Sequence, residues 1–466
     1  MSTPMAARQQ PRRRAEQLLP GLTAVARALP GDLIRGTRQG IGLAVRRGLD
    51  QPPLPVLALL RRTVARARVG PVTMLTRAAD VRAVLRDPDR YTVRHYGAVM
   101  GDLIGPFALG LDGPAHTSAR AVLAEAVSAA RLLDVADRAD AQARRLLGAA
   151  AAAGRLDIVT EFARPLTVVT VAAALGVQVP PGEPVTPLSG NDGATCTADW
   201  TEALFECCFR DGVRDRGVGA RARAARDGIA GHFSTCVAKE RARAAAGEPV
   251  PGEEPLGARP ATPLAVLLER YEDDARVVAD LVGLFVGSVP TIAESLARVI
   301  DHLLDHPDRL AAVREDVVRR DVVRRDVVRR DAGQGTAANP SSERRAAVWG
   351  HCQEAMRFAP PAAGFLRVPA NGDRPVFAST LAAMHDPAVV PDPGFYRPGR
   401  PDGTYLHFGD GPHRCVGEAL AREILTSALI ALVVDDGWQR HPGPDGRLRS
   451  DGAFPSSLVL IRGTAR

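Results

Sequence analysis

Lysine is all but missing from this chain. Lys239 is the only one, so the 60 basic residues set against 53 acidic ones are almost entirely arginine, and the formal net charge of +7 is an arginine charge. Such a bias follows from a GC-rich genome as readily as from a partner. Aromatic residues are also scarce, at 4%. That removes the stacking platforms a single-strand binder needs, and nucleic acid becomes the weaker reading of the charge. Six cysteines (196, 207, 208, 236, 352 and 415) are too few and too irregular for a disulfide framework, and no pairing of them has zinc-finger spacing. A reducing, cytoplasmic compartment is expected, with one or two cysteines at most carrying chemistry. Long apolar runs are missing near the N-terminus too. Arg12, Arg13 and Arg14 are followed by a stretch, 18–29, that Pro20, Gly21 and Arg27 interrupt. It is too short for a secretory core or a membrane span, so a soluble protein without a membrane is expected. What remains is ordinary: 466 residues, 45% hydrophobic and 24% charged. That composition excludes wholly disordered and collagen-like chains, and the length allows two or three domains or one large core.

Residues 1–50 are rich in Arg, Pro and Gly with no sustained period, which predicts a variable extension ahead of one domain over 51–466. The pattern predicts a strand at 71–75 and helices at 78–85, 114–131, 136–153 and 158–176. Pro/Gly-rich breaks fall at 177–193, 247–263 and 332–342. Residues 316–331 repeat D-V-V-R-R three times. A five-residue repeat advances about 140° per unit on a helix of 3.6 residues per turn, so it makes no continuous apolar stripe and reads as a solvated helix without a function of its own. The longest predicted helix is 275–304. It is apolar almost all round over 281–289, which sends it through the interior, and Pro290 should kink or open it.

One stretch carries chemistry: Phe408-Gly409-Asp410-Gly411-Pro412-His413-Arg414-Cys415-Val416-Gly417, followed by a helical run over 418–434. Glycines and a proline build a tight loop. The cysteine stands at the threshold of a helix, where free N–H groups and the positive dipole end should lower its pKa toward thiolate. A thiolate so placed is a nucleophile, a redox thiol or a metal ligand, and a buried inert cysteine is the plain alternative. Zinc held by His351, Cys352, His413 and Cys415 fails on geometry, because adjacent residues on a helix point to different sides.

The loop resembles, at every fixed position, the haem-ligand signature F-G-x-G-x-H-x-C-x-G of the cytochrome P-450 superfamily, the haem-thiolate monooxygenases. Three further stretches are similar to that family's motifs in the expected order: Asp112-Gly113-Pro114-Ala115-His116-Thr117-Ser118-Ala119-Arg120, Glu354-Ala355-Met356-Arg357 and Phe395-Tyr396-Arg397-Pro398-Gly399-Arg400. The resemblance implies a mainly α fold with small β-sheets, a single haem-centred domain, and haem b as cofactor. It implies Cys415 as the axial iron ligand, where a thiolate pushes electron density toward the metal. His116, Arg120, Arg367 and His413 would contact the haem propionates, and Phe408, Gly409 and Gly411 would shape the loop against the macrocycle. Glu354, Arg357 and Arg400 would form a structural ion triad. It further implies a soluble bacterial monomer acting on a small organic substrate. A ferredoxin and a ferredoxin reductase would serve as separate partners, docking near Arg414 and Arg422. Tyr96, Phe107, Leu111, Phe285, Val289 and the turn near Phe454 suggest an apolar pocket. The Cys207-Cys208 pair reads as packing, and the sheet segment between Arg367 and Leu381 as shortened.

The match fails at one point. The family's central helix carries an acid and an alcohol that relay protons, a general acid role. Here Val289 stands for the acid and Pro290 for the alcohol, with Ser288 and Thr291 displaced by one position on either side. Two readings follow. Thr291 or Ser288 serves in a distorted helix and the enzyme inserts oxygen from O2, or the enzyme uses peroxide or rearranges hydroperoxides without electron donors. A non-catalytic recruiting subunit is a third.

Overall fold

The computed structural model describes residues 54–63, 66–69, 71–128, 132, 134–179, 193–210, 215–246, 262–330 and 340–463. The extension 1–50, most of the stretches 177–193 and 247–263, and part of 332–342 lie outside them. In chain order the elements are α1 (Leu54–Thr63), β1 (Arg66–Val69), β2 (Val72–Leu75), α2 (Ala78–Arg86), β3 (Tyr91–Thr92), α3 (Arg94–Leu103), α4 (Gly113–Ala126), α5 (Val135–Ala153) and β4 (Arg155–Asp157). They continue with α6 (Arg164–Leu175), α7 (Gly193–Phe205), α8 (Arg216–Ala245), α9 (Pro263–Arg270), α10 (Asp274–Leu304), α11 (Pro307–Arg330) and α12 (Pro340–Phe358). The C-terminal part holds β5 (Phe365–Pro369), β6 (Val376–Ala378), α13 (Thr380–Ala383), α14 (Glu418–Val434), β7 (Trp438–Arg440), β8 (Arg449–Asp451), β9 (Phe454–Ser457) and β10 (Val459–Arg462). Helices dominate, as the family resemblance implies.

The core forms around α10 because that helix is apolar almost all round over 281–289. Asp273 caps it by accepting the Ala275 N–H at 2.9 Å. Phe285 is fully buried with its ring 4.9 Å from that of Phe233 on α8. Gly283 leaves room for the Phe107 ring, which occupies the space any Cβ would need. The stretches Ile158–Leu175 and α10 are long and apolar enough by composition to cross a membrane, yet both are mostly buried inside the protein, as core helices are. A further 0%-exposed layer (Leu123, Val135, Leu166, Ile424) seals α4, α5, α6 and α14 onto the same core.

Three small sheets frame the helices: β1-β2-β6-β5-β3, β4-β10-β7 and β8-β9. In the first, β2 and β6 run parallel and the other pairs antiparallel. The 367–381 segment is thus a short hairpin, with Arg367 in register opposite Val376. Asp157 ties the second sheet to the π-helical turn Ile158–Ala163 by accepting from the Val159 N–H at 2.9 Å, and to β9 of the third by accepting from the Ser457 hydroxyl at 2.7 Å.

Several expectations need adjusting. The 114–131 helix ends at Ala126, where Val127 turns out of helical geometry. The strand at 71–75 has an antiparallel partner, β1, that the sequence pattern did not reveal. Helix α10 runs through Pro290 as one unbroken element. In the first D-V-V-R-R unit Val317 is buried, Val318 is exposed, and Asp316 bonds His351 at 3.1 Å, so this unit is half core. Side chains beyond Val318 in that helix lie outside the described residues.

Candidate functional site

The cysteine loop is fastened before it reaches α14. The Cys415 N–H donates to the Phe408 carbonyl at 2.8 Å, closing the loop on itself. Gly409 and Gly411 both take left-handed φ, +77° and +70°. At Gly411 a side chain is also excluded by contact: its Cβ would lie 2.5 Å from the Leu85 carbonyl oxygen and 2.8 Å from the Arg86 Cα. The glycine therefore serves the seat of the loop on α2 and turns no side-chain position toward a cofactor. Asp410 reinforces the seat, accepting from Arg82 at 2.7 Å and Arg86 at 3.0 Å. Gly411→Ala is expected to cost about 2–4 kcal/mol, from left-handed strain plus overlap with backbone that cannot yield. A lower melting temperature and a lower haem-to-protein absorbance ratio would report it.

The Phe408 ring lies between His407, 4.9 Å away, and Trp349, 6.0 Å away. Cys415 is open to a solvent-sized probe, yet sits deep enough that burial raises its thiol pKa. This corrects the lowering expected from its place ahead of α14. Desolvation outweighs the Gly417 N–H on the sulfur and the positive charges of Arg120 and Arg414. A positive charge bound to the sulfur, such as a metal ion, would favour the thiolate.

Four donors converge beside this sulfur. The rings of His116 (α4) and His413 lie 4.0 Å apart. Burial holds the His413 pKa down to about 3, helped by the neighbouring His116, Arg367 and Arg120. His116 is lowered by burial and by Arg120, one helical turn away, and burial lowers Arg120 as well, with Cys415 close enough to oppose it. Both ring nitrogens of His413 are buried without a hydrogen-bond partner. Arg367 is 5% exposed and pairs with no described carboxylate, its bond being to the Leu366 carbonyl at 2.8 Å. The nearest acid is Asp112, 3.7 Å from His413 Nε2 and occupied with the Val93 N–H at 3.1 Å. Buried cations and orphaned donors ask for anions. A haem supplies two carboxylates and an iron for the sulfur, so the residues present fit that group.

Across from the cysteine lies α10. Between residues 277 and 297 only Gly287, Ser288 and Thr291 are not buried, and they share one helix face. A Cβ at Gly287 would meet nothing within 4 Å, and Cys415 is itself exposed, so free space borders both elements. A Cβ at Gly417 would stand 3.7 Å from Ser288 Oγ and 3.9 Å from Cys415 Sγ, so Ser288 faces the cysteine loop. The Thr291 hydroxyl donates to the Gly287 carbonyl at 2.6 Å and so satisfies its own helix. Val289 and Pro290 are buried and offer no proton.

The ion triad forms, and it is larger than the sequence suggests. Glu354 accepts from Arg357 at 2.9 and 2.7 Å, from Arg400 at 3.2 Å and from the Arg397 N–H at 2.8 Å. Tyr405 adds its hydroxyl at 3.2 Å. No motif flagged Tyr405; its place three residues before Phe408 was the only hint. Nor did any motif flag Asp410 or Arg210, which ties the π-helical turn Glu206–Arg210 to α10. His351 and Cys352 lie apart from the cysteine loop: His351 bonds Asp316 and Tyr396, and burial raises the Cys352 thiol to about 12. Burial likewise raises Cys208 to about 12, in keeping with packing. Of the expected pocket residues, Phe285, Val289 and Tyr96 are core, and the Tyr96 ring packs tilted 5.2 Å from that of Phe209.

Comparison with known proteins agrees with this geometry. A cytochrome P450 family model matches residues 352–436. The chain is 27% identical over 447 residues to the mycinamicin IV hydroxylase/epoxidase of Micromonospora griseorubida, covering 91% of this chain and 94% of that one. It is 47% identical over 75 residues to the linoleate diol synthase of Gaeumannomyces graminis, a stretch that spans 16% of this chain and 6% of that protein. The crystal structure of CalO2 superposes with a TM-score of 0.67 at 22% identity, over 90% of this chain and 97% of the other.

Proposed function

This chain belongs to the cytochrome P450 family, and from that membership we propose that it is a haem-thiolate monooxygenase inserting one oxygen atom from O2 into a small, largely apolar organic substrate. The observation that carries the reading is the convergence near Cys415 of four donors, His116, Arg367 and His413 buried and Arg120 half-buried, among which His413 has no hydrogen-bond partner and Arg367 no described carboxylate. Haem b, bound there, supplies the oxygen-activating redox chemistry. Cys415 donates the thiolate, and the Gly417 N–H on its sulfur tempers that donation. Arg120 and Arg367 neutralise the propionates, while His116 and His413 orient them. On the opposite side Gly287 leaves space, and Ser288 and Thr291 are the hydroxyls within reach of the open face. With its own bond to Gly287, Thr291 can pass on a proton only by exchanging that partner, so Ser288 is the freer of the two.

The enzyme works as a cytoplasmic monomer with a separate ferredoxin and ferredoxin reductase. Arg414 and Arg422, proposed as a docking face, carry partial counter-charges: Arg414 bonds Glu418 at 2.8 Å and Arg422 lies 3.8 Å from Glu423. A second reading is favoured by the loss of the acid–alcohol pair and by the short, strong match to a linoleate diol synthase: use of peroxide, or rearrangement of a hydroperoxide. One comparison separates them. Turnover of a substrate panel with NADPH, ferredoxin and reductase is expected to exceed turnover with hydrogen peroxide alone, and to fall as salt rises. Equal or greater turnover with peroxide, without dependence on the donor proteins, would establish the second.

A further inference from the structure

Arg210 is a buried cation that the haem chemistry does not require. Its side chain is 8% exposed at the end of the π-helical turn that closes α7. One nitrogen bonds Glu294 at 2.6 Å and the Pro361 carbonyl at 3.0 Å; the other bonds the Ala453 carbonyl. The guanidinium carbon stands 4.4 Å from the ring centre of Phe454 and 5.4 Å from that of Phe205. One side chain therefore joins four separate segments: the end of α7, α10, the loop after α12 and the turn before β9.

Glu294, the anchor, lies on α10 one turn beyond Thr291 and on the same face. Arg298 holds its other oxygen at 2.9 Å. Phe454 and Phe205 continue into a chain of rings: Phe205 to Phe454 at 5.8 Å, Phe205 to Phe209 at 4.6 Å, Phe209 to Tyr96 at 5.2 Å. This aromatic wall runs from the C-terminal turn to α3, and Arg210 fixes one end of it to α10 next to the open face.

Stability alone does not call for such a pair, since well-packed apolar residues commonly replace a buried ion pair at no cost. A planar, five-donor fork placed over an aromatic ring does something an apolar residue cannot: it holds the ring by charge while its donors are tied to other segments. Resting on the haem reading above, we infer that Arg210 is a specificity-determining residue. It holds the Phe205–Phe454 wall against α10 through Glu294 and so sets the depth offered to the flat, apolar end of a substrate. The substrate class it favours is one with a planar ring or rigid apolar face.

The test uses the haem-loaded full chain and ligands that report by shifting the Soret band: imidazole, 4-phenylimidazole and a biphenyl-imidazole. In the double variant Arg210→Met with Glu294→Gln, which leaves Arg298 a polar partner, imidazole is expected to bind within about twofold of the parent. The biphenyl-to-imidazole affinity ratio is expected to change by about tenfold, the scale on which a pocket contact discriminates. Arg210→Lys keeps the charge on Glu294 but loses the fork, and its ratio is expected to move by about threefold in the same direction. Should the double variant not fold, the lysine variant decides alone. Ratios within about twofold of the parent in the folded variants would overturn the inference and leave the haem reading standing. A parent protein without a Soret band would overturn both.

Discussion

Cys415→Ala is expected to abolish the thiolate-type Soret band of the reduced, carbon monoxide-bound protein and to lower turnover by about a thousandfold or more, equivalent to at least about 4 kcal/mol of transition-state stabilisation. The size of the effect follows from the site's architecture. Cys352 and Cys208 are poor substitutes, being buried with their thiols raised to about 12. The fold should survive the change. Cys415 lies in a loop open on one side, and its main structural bond, from its N–H to the Phe408 carbonyl, is a backbone one that alanine keeps. Far-ultraviolet dichroism unchanged from the parent, with the pigment lost or spectrally altered, is the expected pair of results. A variant retaining the parent's reduced, carbon monoxide-bound spectrum would remove Cys415 as the axial ligand. Burial raises the thiol pKa, whereas a bound metal ion would favour the thiolate, so loss of the pigment and loss of the sulfur are expected together.

How much of this site could be read from sequence depended on whether its determinants were local. The cysteine loop could be, since each glycine answers a local need: left-handed φ at 409 and 411, and contact with Leu85 at 411. The pairing of Glu354 with Arg357 could be, because a spacing of three on a helix places the two side chains together. Tyr405 could not, since its contact with Glu354 spans 51 residues and no periodicity encodes it. Arg210 was hidden for the same reason; its partners Glu294, Pro361 and Ala453 lie 84, 151 and 243 residues away. The Cys415 titration went the wrong way because a helix-end argument is local, whereas desolvation depends on all the protein that packs around the loop. Pro290 shows the reverse case. A rule of local stereochemistry anticipated a kink or an opening; the helix does not open, and α10 runs on through Pro290 among the buried Phe285, Val289, Ile292 and Leu296.

Glu354→Ala is expected to be the most destabilising single substitution in the chain, costing about 3–5 kcal/mol. Against the roughly 5–15 kcal/mol by which domains are ordinarily stable, that suffices to lose most folded protein at growth temperature. Both Glu354 and Arg357 are 0% exposed, so truncating the acid strands a guanidinium where water cannot reach it. Arg357 would keep its bonds to the Pro393 carbonyl at 2.7 Å and the Phe395 carbonyl at 3.0 Å, which offset part of the loss. Arg400, Tyr405 and the Arg397 N–H would lose the acceptor that gathers the segment 391–405 against α12. That segment leads directly into the cysteine loop, so haem retention should fall with the melting temperature. Acid titration distinguishes the charge from the shape. Burial alone pushes the Glu354 carboxyl up, but hydrogen bonds from Arg357, the Arg397 N–H and Arg400 together hold it below its ordinary 4.5. A carboxyl lowered on folding contributes stability above its unfolded pKa and loses it as pH falls through the folded value. Glu354→Gln, which keeps the shape, is therefore expected to start from lower stability at pH 7. It should then lose less than the parent as pH is taken below 4.5, measured by denaturant unfolding across that range. Parallel losses in the two proteins would mean that the carboxylate's charge contributes nothing, and that shape alone holds the segment in place.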